Sequence, residues 1–528
     1  MTRIILFLLF IVKLISCQDY FQFDDINQNT LSTNLTNDSS IIIEHFTPRG
    51  QSSEGLQEFT PIRDTIIQSE TKYYSFSVNT QSGLGDFYEL LIFLSGNICN
   101  QPDNLQPNET SLAVYYSFNS TMFQNNQIGQ MKLFENGFFQ ALTQLSIPED
   151  DSQKNTPDVL YIAVRAPENT NRTSQWTYQI GVSQNDLVFQ WDDRSWGSLV
   201  DVDDNSALIT TGNISSLVAG NYLELNITDS QFSLYLYTED YKDYFAGMNN
   251  SWCAVRNGPV LVNPTDIETS FTDRHGFFQQ QFLVKGLNAS TKYIAYIIMD
   301  VNGIEFGGAV YHPFEFETMD GNACELIYDL EFCDQVAYSV PALGDRVDDL
   351  DDNKNYTKKL YDDYAKSLYV NFSKGLQQVA CNTTSDAEFS NLRTCEDCAE
   401  SYKNWLCSVT IPRCSTKNKT GYILRNSSNQ RNSFIADTIS PIENYYEVLP
   451  CVNVCQAIVR DCPADFGFMC PTTNDTIKLS YYWDTGEVQD QWPSCNYVGH
   501  YIVLTSAALQ QICNWSLFVM FLFIQIFL

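Results

Sequence analysis

The chain has 528 residues, and its 63 Asp and Glu outweigh its 30 Lys and Arg to give a formal net charge of −33. This charge argues against nucleic-acid binding, which needs clustered Lys and Arg, and against docking on an anionic lipid leaflet. Hydrophobic residues make up 44% and aromatic residues 14%, a globular composition that favours strand-rich structure. The length suits about three domains.

Residues 1–17 have the form of a secretory signal peptide. Arg3 precedes an apolar run over 4–15, which is too short to span a bilayer as a helix. Residues 14–17 also resemble a bacterial lipoprotein box, in which Cys17 would carry lipid. The glycosylation pattern favours the eukaryotic secretory signal instead.

Residues 18–60 form a polar lead-in that we expect to be poorly ordered. N-glycosylation sequons occur sixteen times in the chain, against roughly six expected by chance. This excess predicts a glycosylated ectodomain that carries these asparagines on its surface. Leaving out Asn514 in the C-terminal tail, the predicted glycosylation sites are Asn34, Asn37, Asn108, Asn119, Asn171, Asn213, Asn226, Asn249, Asn288, Asn355, Asn371, Asn382, Asn418, Asn426 and Asn474.

Short aromatic and β-branched runs, separated by loops of Asn, Gln, Gly and Pro, begin near residue 61. Such runs without a long helical pattern predict a β-sandwich over 61–188. The runs are 72–79, 88–95, 111–119, 158–165 and 175–183.

A second series of strand-like runs predicts another β-sandwich over 189–320. Within it, Leu287, Thr291 and Tyr293 resemble the E–F corner of a fibronectin type III domain, where a tyrosine hydroxyl ties the corner to the backbone. The resemblance implies a scaffold or adhesion surface. The runs are 207–211, 222–228, 232–238, 277–285, 293–300 and 314–318.

The sequence shows no motif for catalysis. It lacks HExxH, GxSxG, a P-loop and GxGxxG before a helix, and no particular pair of carboxylates is indicated for glycoside hydrolysis. We therefore predict no catalytic residue, no cofactor and no metal site. The four histidines are scattered, at His45, His275, His312 and His500.

One acidic run has part of a calcium-loop pattern. Asp201, Asp203 and Asn205 have the 1-3-5 spacing, but position 6 is Ser206 and position 12 is Gly212, where an EF-hand has Gly and Glu. We predict a solvated turn at this position.

Twelve of the sixteen cysteines lie between residues 324 and 495. A zinc site would need a second cysteine pair to match the CxxC at Cys395 and Cys398, and the sequence has none with that spacing. A secreted chain also matures in an oxidising compartment, so disulfides are favoured. Cys99 and Cys253 either pair with each other across the two sandwiches, or one of them reaches the later block. The predicted disulfide cysteines are Cys99, Cys253, Cys324, Cys333, Cys381, Cys395, Cys398, Cys407, Cys414, Cys451, Cys455, Cys462, Cys470 and Cys495.

Helical periodicity appears between these cysteines. The stretch 355–379 predicts an amphipathic helix, and Cys451, Cys455 and Cys462 share related faces of another. We therefore expect a mainly helical, disulfide-pinned domain over 321–497. The predicted apolar stripe of the first helix is Tyr356, Leu360, Tyr364, Leu368, Phe372, Leu376 and Val379.

The segments 323–342, 398–414 and 449–462 resemble a Frizzled-type cysteine-rich domain in order and spacing. That resemblance implies the disulfide pairs Cys324–Cys414 and Cys333–Cys407. The fold class is thus multidomain β plus α, with two β-sandwich-like domains followed by a disulfide-rich, mainly helical Frizzled-like domain.

The chain from about 60 to 510 resembles the fungal Mid family in its strand-rich half, its WLCSVTIPRC and PCxxxC segments and its hydrophobic tail. These proteins are regulatory subunits of a stretch-activated, high-affinity calcium influx channel. The resemblance implies a partner, which is a pore-forming subunit related to voltage-gated calcium channels. This chain would then lie on the extracellular face of that subunit. The alternatives are a surface receptor or adhesin that binds lipid or glycan through the Frizzled-like domain, and a wall-modifying hydrolase.

The C-terminal residues 498–528 have the pattern of a glycosylphosphatidylinositol signal. Small residues from Ser506 are followed by a spacer over 509–516 and a hydrophobic tail over 517–528. We predict a lipid anchor on Ser506 and a secretory route to the extracellular face of the plasma membrane, with some protein in the endoplasmic reticulum. The alternative is a tail that stays as an interfacial or partly inserted segment.

Four aromatic and basic residues are the candidate contacts for a partner protein: Tyr402, Lys403, Trp405 and Arg413. The alternative for Trp405, together with Leu406, is a place in the core of a small domain.

Overall fold

A computed structural model describes the chain over residues 54–79, 89–102, 111–119, 129–146, 159–167, 174–214, 232–301, 306–344, 350–380, 389–390, 392–483 and 491–499. The predicted signal peptide, residues 18–53, Cys381, the run 222–228 and everything after residue 499, including Ser506, lie outside these ranges. So do the sequon asparagines Asn34, Asn37, Asn108, Asn171, Asn226 and Asn382.

Two sheets build the first β unit, residues 54–183, and they share one apolar core in the arrangement of a β-sandwich. One sheet has the order β1-β3-β8-β5-β6 and the other β2-β9-β4-β7. The unit begins at residue 54, inside the predicted lead-in, because Leu56 is buried in this core. The strands β1 to β9 are Glu54–Leu56, Ile62–Ile67, Thr71–Ser77, Glu89–Asn100, Ala113–Ser117, Gln130–Leu133, Phe138–Ser146, Val159–Arg165 and Gln175–Ser183.

Successive side chains along a strand point to opposite faces of the sheet, and this alternation determines which of them fill the core. Tyr74 and Phe76 of β3 and Trp176 and Tyr178 of β9 are two residues apart within their strands, so each pair points to one face. All four are buried, and the hydroxyls of Tyr74 and Tyr178 lie 2.5 Å apart. The hydrogen bond between them satisfies polar groups that burial removes from water.

The second β unit, residues 189–319, is also made of two sheets around one core. One sheet has the order β10-β17-β16-β13, with β18 also on β16, and the other has β11-β12-β15-β14. The predicted tyrosine corner is confirmed, since the Asn288 amide donates to the buried Tyr293 hydroxyl at 2.9 Å. The strands β10 to β18 are Phe189–Asp192, Gly197–Val202, Ser206–Thr211, Phe232–Thr238, Glu268–Arg274, Phe277–Lys285, Lys292–Asp300, Gly308–Tyr311 and Phe314–Glu317.

Two short helices, α1 (Lys242–Phe245) and α2 (Trp252–Asn257), lie between the β units. The Ser251 side chain caps α2 by accepting from the Ala254 amide, and its hydroxyl donates to the Ile98 carbonyl of the first unit at 2.6 Å. The disulfide Cys99–Cys253 joins β4 to α2. The two β units are therefore linked covalently as well as by packing.

The cysteine-rich region, residues 321–499, combines helices with small sheets. Three strands pair in the order β21-β23-β22, and β19 pairs with β20. The region is thus less purely helical than we predicted. Its elements are β19 (Cys324–Ile327), β20 (Tyr338–Pro341), α3 (Leu350–Leu376), α4 (Cys395–Thr410), β21 (Arg413–Ser415), β22 (Ile423–Arg425), a π-helical turn (Ile435–Ile439), β23 (Tyr445–Val448), α5 (Val452–Asp461) and α6 (Asn474–Ser480).

Helix α3 forms where an amphipathic helix was predicted, but part of the predicted stripe was wrong. Tyr356 is 53% and Leu368 is 38% exposed, whereas Tyr361 and Ala365 are fully buried. Small and polar residues such as Thr357 complete the buried face, which a count of apolar residues alone does not find.

The second β unit and the cysteine-rich region share a core. Every residue of β12 is buried, because its two faces pack on different partners. Ile209 joins the core of the β unit, while Leu208 packs against Leu326 and Ala337 of the β19–β20 hairpin. The cysteine-rich region is therefore packed along the outer face of the second unit.

Within the part of the chain that the structure describes, no helix combines the length and the apolar character needed to cross a bilayer.

Candidate partner-binding surface

Six disulfides hold the described part of the chain, and Cys395 is disulfide-bonded as well. The structure contains both of the pairs that the Frizzled resemblance implied, and it resolves the alternatives for Cys99 in favour of Cys253. The pairs are Cys99–Cys253, Cys324–Cys414, Cys333–Cys407, Cys398–Cys462, Cys451–Cys495 and Cys455–Cys470.

Helix α4 carries three of the four predicted partner contacts. It begins with a capping box, in which the Thr394 hydroxyl accepts from the Asp397 amide at 3.1 Å and the Asp397 carboxylate accepts from the Thr394 amide at 2.7 Å. Cys398 and Cys407 then tie the buried face of the helix to Cys462 and Cys333. The opposite face is fixed in position by these anchors.

Tyr402 and Trp405 are half-buried, and both pack inside the region. The Tyr402 ring stacks on Phe372 of α3, with centroids 3.6 Å apart and an interplanar angle of 10°. The Trp405 indole N–H donates to the Tyr481 hydroxyl at 2.8 Å, and Leu406 beside it is buried. The core alternative given for Trp405 and Leu406 therefore describes those two positions well.

Lys403 lies at the surface, where its ammonium is 2.8 Å from the Asp334 carboxylate. The side chain of Asp334 is 52% exposed, so solvent screens the pair and its contribution to stability is small.

Arg413 points into the protein and holds the acidic run that sequence analysis assigned to a solvated turn. Its Nη2 is 2.9 Å from the Asp201 Oδ2, with side chains 13% and 4% exposed. Burial raises the pKa of Asp201, and Arg413 and the amides of Val202 and Ser339 act in the opposite direction.

The next acid of the run is paired in the same way. The Lys354 ammonium of α3 lies 2.7 Å from Asp203 Oδ2, 3.2 Å from Asn205 Oδ1 and 2.8 Å from Ser206 Oγ. Asp203 is fully buried and also accepts from the Leu326 amide at 3.0 Å. The prediction of a solvated turn was wrong, because a lysine from a distant helix neutralises the acid.

The four predicted residues therefore form no continuous open patch, and their role as partner contacts stays a prediction. Tyr402 does border an accessible aromatic surface. This surface consists of half-buried rings and one exposed methionine, and we call it the aromatic patch. Its members are Tyr369, Tyr402, Phe466, Phe468 and Met469.

A turn at Gly467 places two rings of the aromatic patch side by side. Gly467 has φ of 65°, a left-handed conformation that suits glycine, and it turns the chain between Phe466 and Phe468. Their rings stack with centroids 5.5 Å apart, and the Phe468 ring lies 5.7 Å from Tyr402. The Met469 side chain beside them is 88% exposed.

Disulfides fix both ends of the segment that carries these rings. Cys462 precedes it and is bonded to Cys398, and Cys470 follows it and is bonded to Cys455. The segment was not predicted from the sequence, because its apolar residues follow neither the helix nor the strand period. The cluster of apolar residues between two cysteines was the available signal. Rigid, half-exposed aromatic rings are typical of binding surfaces.

Nine of the predicted glycosylation sites are in described residues. Eight of these asparagines are exposed and Asn426 is half-buried. Their accessibility is compatible with glycans, and glycosylation stays a prediction.

Comparison with known proteins assigns the class. A family model described as Mid1, a stretch-activated Ca²⁺-permeable channel component, matches residues 91–501. The chain belongs to this family.

Two named relatives agree with the family assignment. The chain is 38% identical over 491 residues to the stretch-activated cation channel MID1 of Saccharomyces cerevisiae, covering 85% of this chain and 87% of that one. It is 35% identical over 327 residues to the stretch-activated cation channel yam8 of Schizosaccharomyces pombe, covering 60% and 63%. The relatives are thus named as channels and not as enzymes.

A solved structure, the glycoside hydrolase domain of Endo-D from Streptococcus pneumoniae R6, aligns over 50% of this chain and 34% of its own with a TM-score of 0.18. A likeness at this level carries no argument about the fold or the activity.

Proposed function

We propose that the chain is an extracellular regulatory subunit of a stretch-activated, high-affinity calcium influx channel, and that calcium passes through a separate pore-forming subunit related to voltage-gated calcium channels. The observation that carries the proposal is the 38% identity to a protein named as a stretch-activated cation channel, over 87% of that protein. The expected site is the outer face of the plasma membrane, with some protein in the endoplasmic reticulum.

The disulfides support the proposal that the chain is extracellular. Disulfides form in oxidising compartments, and six of them hold the described residues. The predicted signal peptide, the sequons and the anchor on Ser506 fit the same route. The finer proposal of a Frizzled-like domain rests on the pairs Cys324–Cys414 and Cys333–Cys407.

The aromatic patch is the surface that we propose for docking on the pore-forming subunit. Disulfides hold both ends of the segment that carries Phe466 and Phe468, and these rings stack on each other and near Tyr402, so little side-chain entropy is lost on binding. Phe466 and Phe468 offer apolar area, and the exposed Met469 can adapt to a partner surface.

Affinity purification of the tagged full-length chain from its native membranes tests the function. We expect a large channel-type subunit to co-purify, and a deletion strain to lose high-affinity calcium uptake. A deletion strain with normal uptake, together with no channel-type chain in the purified material, would refute the proposal.

Met469→Asp tests the docking surface separately. The substitution places a charge in the aromatic patch, and we expect about tenfold less co-purified subunit and a matching loss of calcium uptake. Met131→Asp is the matched control, because Met131 is 51% exposed on β6 in the first β unit. Equal effects of the two substitutions would exclude the patch while leaving the channel role intact.

A further inference from the structure

A cavity of about 240 Å³ lies where the first β unit meets α2 of the second. Its volume is that of roughly eight water molecules, which is enough for one sugar-sized ligand. The lining residues are Arg63, Gln179, Trp252, Arg256, Asn257 and Phe306.

A polar row across three strands forms one wall of this junction. Gln179 of β9 is opposite Arg63 of β2 on one side and Asn97 of β4 on the other. Opposite residues in antiparallel strands share a face of the sheet. The neighbours of Gln179, Tyr178 and Ile180, point into the apolar core, so the polar row faces away from that core and toward α2.

The amides in this row have unused hydrogen-bonding groups. Gln179 is 1% exposed, and neither its Oε1 nor its Nε2 has a hydrogen-bond partner within the described ranges. Asn97 is fully buried and accepts from the Trp252 amide at 3.2 Å, yet its Nδ2 likewise lacks an acceptor there. Buried amides are nearly always satisfied, so this wall is suited to a polar ligand.

Two guanidinium groups add positive charge. Arg63 is exposed and forms no ion pair or hydrogen bond with any described residue. Arg256 lies over the Trp252 ring at 4.9 Å and is 2.7 Å from the Asp300 carboxylate. Two arginines beside one acid leave the cavity cationic, on a chain whose net charge is −33.

We propose that this cavity binds the carboxylate or phosphate group of a sugar-sized anion. Guanidinium groups bind such oxyanions through paired, charge-assisted hydrogen bonds. Arg63 supplies the main contact, Arg256 approaches from the other β unit, and the Gln179 amide binds a neighbouring hydroxyl or oxyanion oxygen. A bound anion would connect the two β units at this junction.

Calorimetric titration of the purified full-length chain with inorganic phosphate, glucuronate and neutral glucose tests the site. We expect binding of at least one anion with a Kd at or below about 10 mM, and weaker or undetectable binding of glucose. Binding of phosphate alone assigns a phosphorylated ligand, and binding of glucuronate alone assigns a carboxylated one. No heat with either anion, or equal binding of glucose, would overturn the proposal.

Substitutions locate the binding. Arg63→Gln should weaken it about tenfold, whereas Lys132→Gln, which removes one exposed positive charge from β6 of the same unit, should leave it unchanged. Gln179→Met should also weaken binding, while the melting temperature stays level or rises because an unsatisfied amide is removed. Unchanged affinity in Arg63→Gln contradicts the assignment.

Discussion

Replacing Lys354 with Met tests whether the cysteine-rich region fixes the acidic run of the second β unit. The Lys354 ammonium lies 2.7 Å from Asp203, whose side chain is 1% exposed. In the variant, the Asp203 carboxylate keeps its hydrogen bonds from the amides of Asn205 and Leu326, at 2.9 and 3.0 Å. It loses its only ion pair among the described residues, and its charge stays buried.

Removing one partner of a buried ion pair costs about 3–5 kcal/mol, because the other charge is left uncompensated. The Lys354 side chain is 19% exposed, so water partly screens the pair and we expect the lower end, about 3 kcal/mol. The loss should fall on the joint between the second β unit and the cysteine-rich region, where α3 meets the β11–β12 turn.

Hydrogen exchange and thermal unfolding of the purified chain measure this effect. We expect faster exchange in β11, β12 and the β19–β20 hairpin, and a lower first unfolding transition. Lys359→Met is the matched control, since Lys359 is exposed on the same helix. The double variant Asp203→Asn with Lys354→Met should recover part of the loss. Equal stability of Lys354→Met and Lys359→Met would refute the reasoning.

Three further outcomes are expected. Tyr293→Phe should lower the unfolding free energy by about 1 kcal/mol by removing the corner hydrogen bond, and Tyr356→Phe, at an exposed position, should not; equal urea midpoints would contradict this. The double variant Cys99→Ser with Cys253→Ser should lose about 3 kcal/mol and expose the junction to protease, and unchanged proteolysis would exclude a stabilising role. Burial favours a higher pKa for Asp461, but hydrogen bonds from arginine and serine side chains and nearby positive charge lower it below the usual value. The stability that this carboxylate contributes is therefore present above about pH 4 and is lost as the pH falls through the lowered pKa. In urea titrations, Asp461→Asn should lower the unfolding free energy at pH 7 and progressively less below pH 4. A difference in unfolding free energy that stays constant with pH would contradict the lowered pKa.

Local patterns predicted much of the β structure. The runs 72–79 and 175–183 became β3 and β9, since the alternation of more and less buried residues over 74–77 and 175–178 is set within a single strand. The corner at Tyr293 was predictable for the same reason, because donor and acceptor are five residues apart. Strands such as β6, with all four residues exposed, carry no such alternation and were missed.

Contacts between distant segments could not be read from the sequence. Asp203 and Lys354 are separated by 151 residues, and nothing near either residue indicates the other. The acidic run therefore looked like a solvated turn. Arg413 was similarly predicted to lie on a partner surface. It follows a helix that carries Trp405, and nothing in the local sequence indicates that its charge pairs with Asp201.

The disulfide Cys99–Cys253 has a mechanical consequence. It joins two cysteines with a sequence separation of 154, and the loop it closes contains most of the first β unit and the start of the second. Tension applied between the two ends of the described chain would pass through this bond and could not draw out the enclosed segment. Under load the segment between these two cysteines would behave as one short, inextensible link, and any lengthening of the two β units would have to come from chain outside the loop.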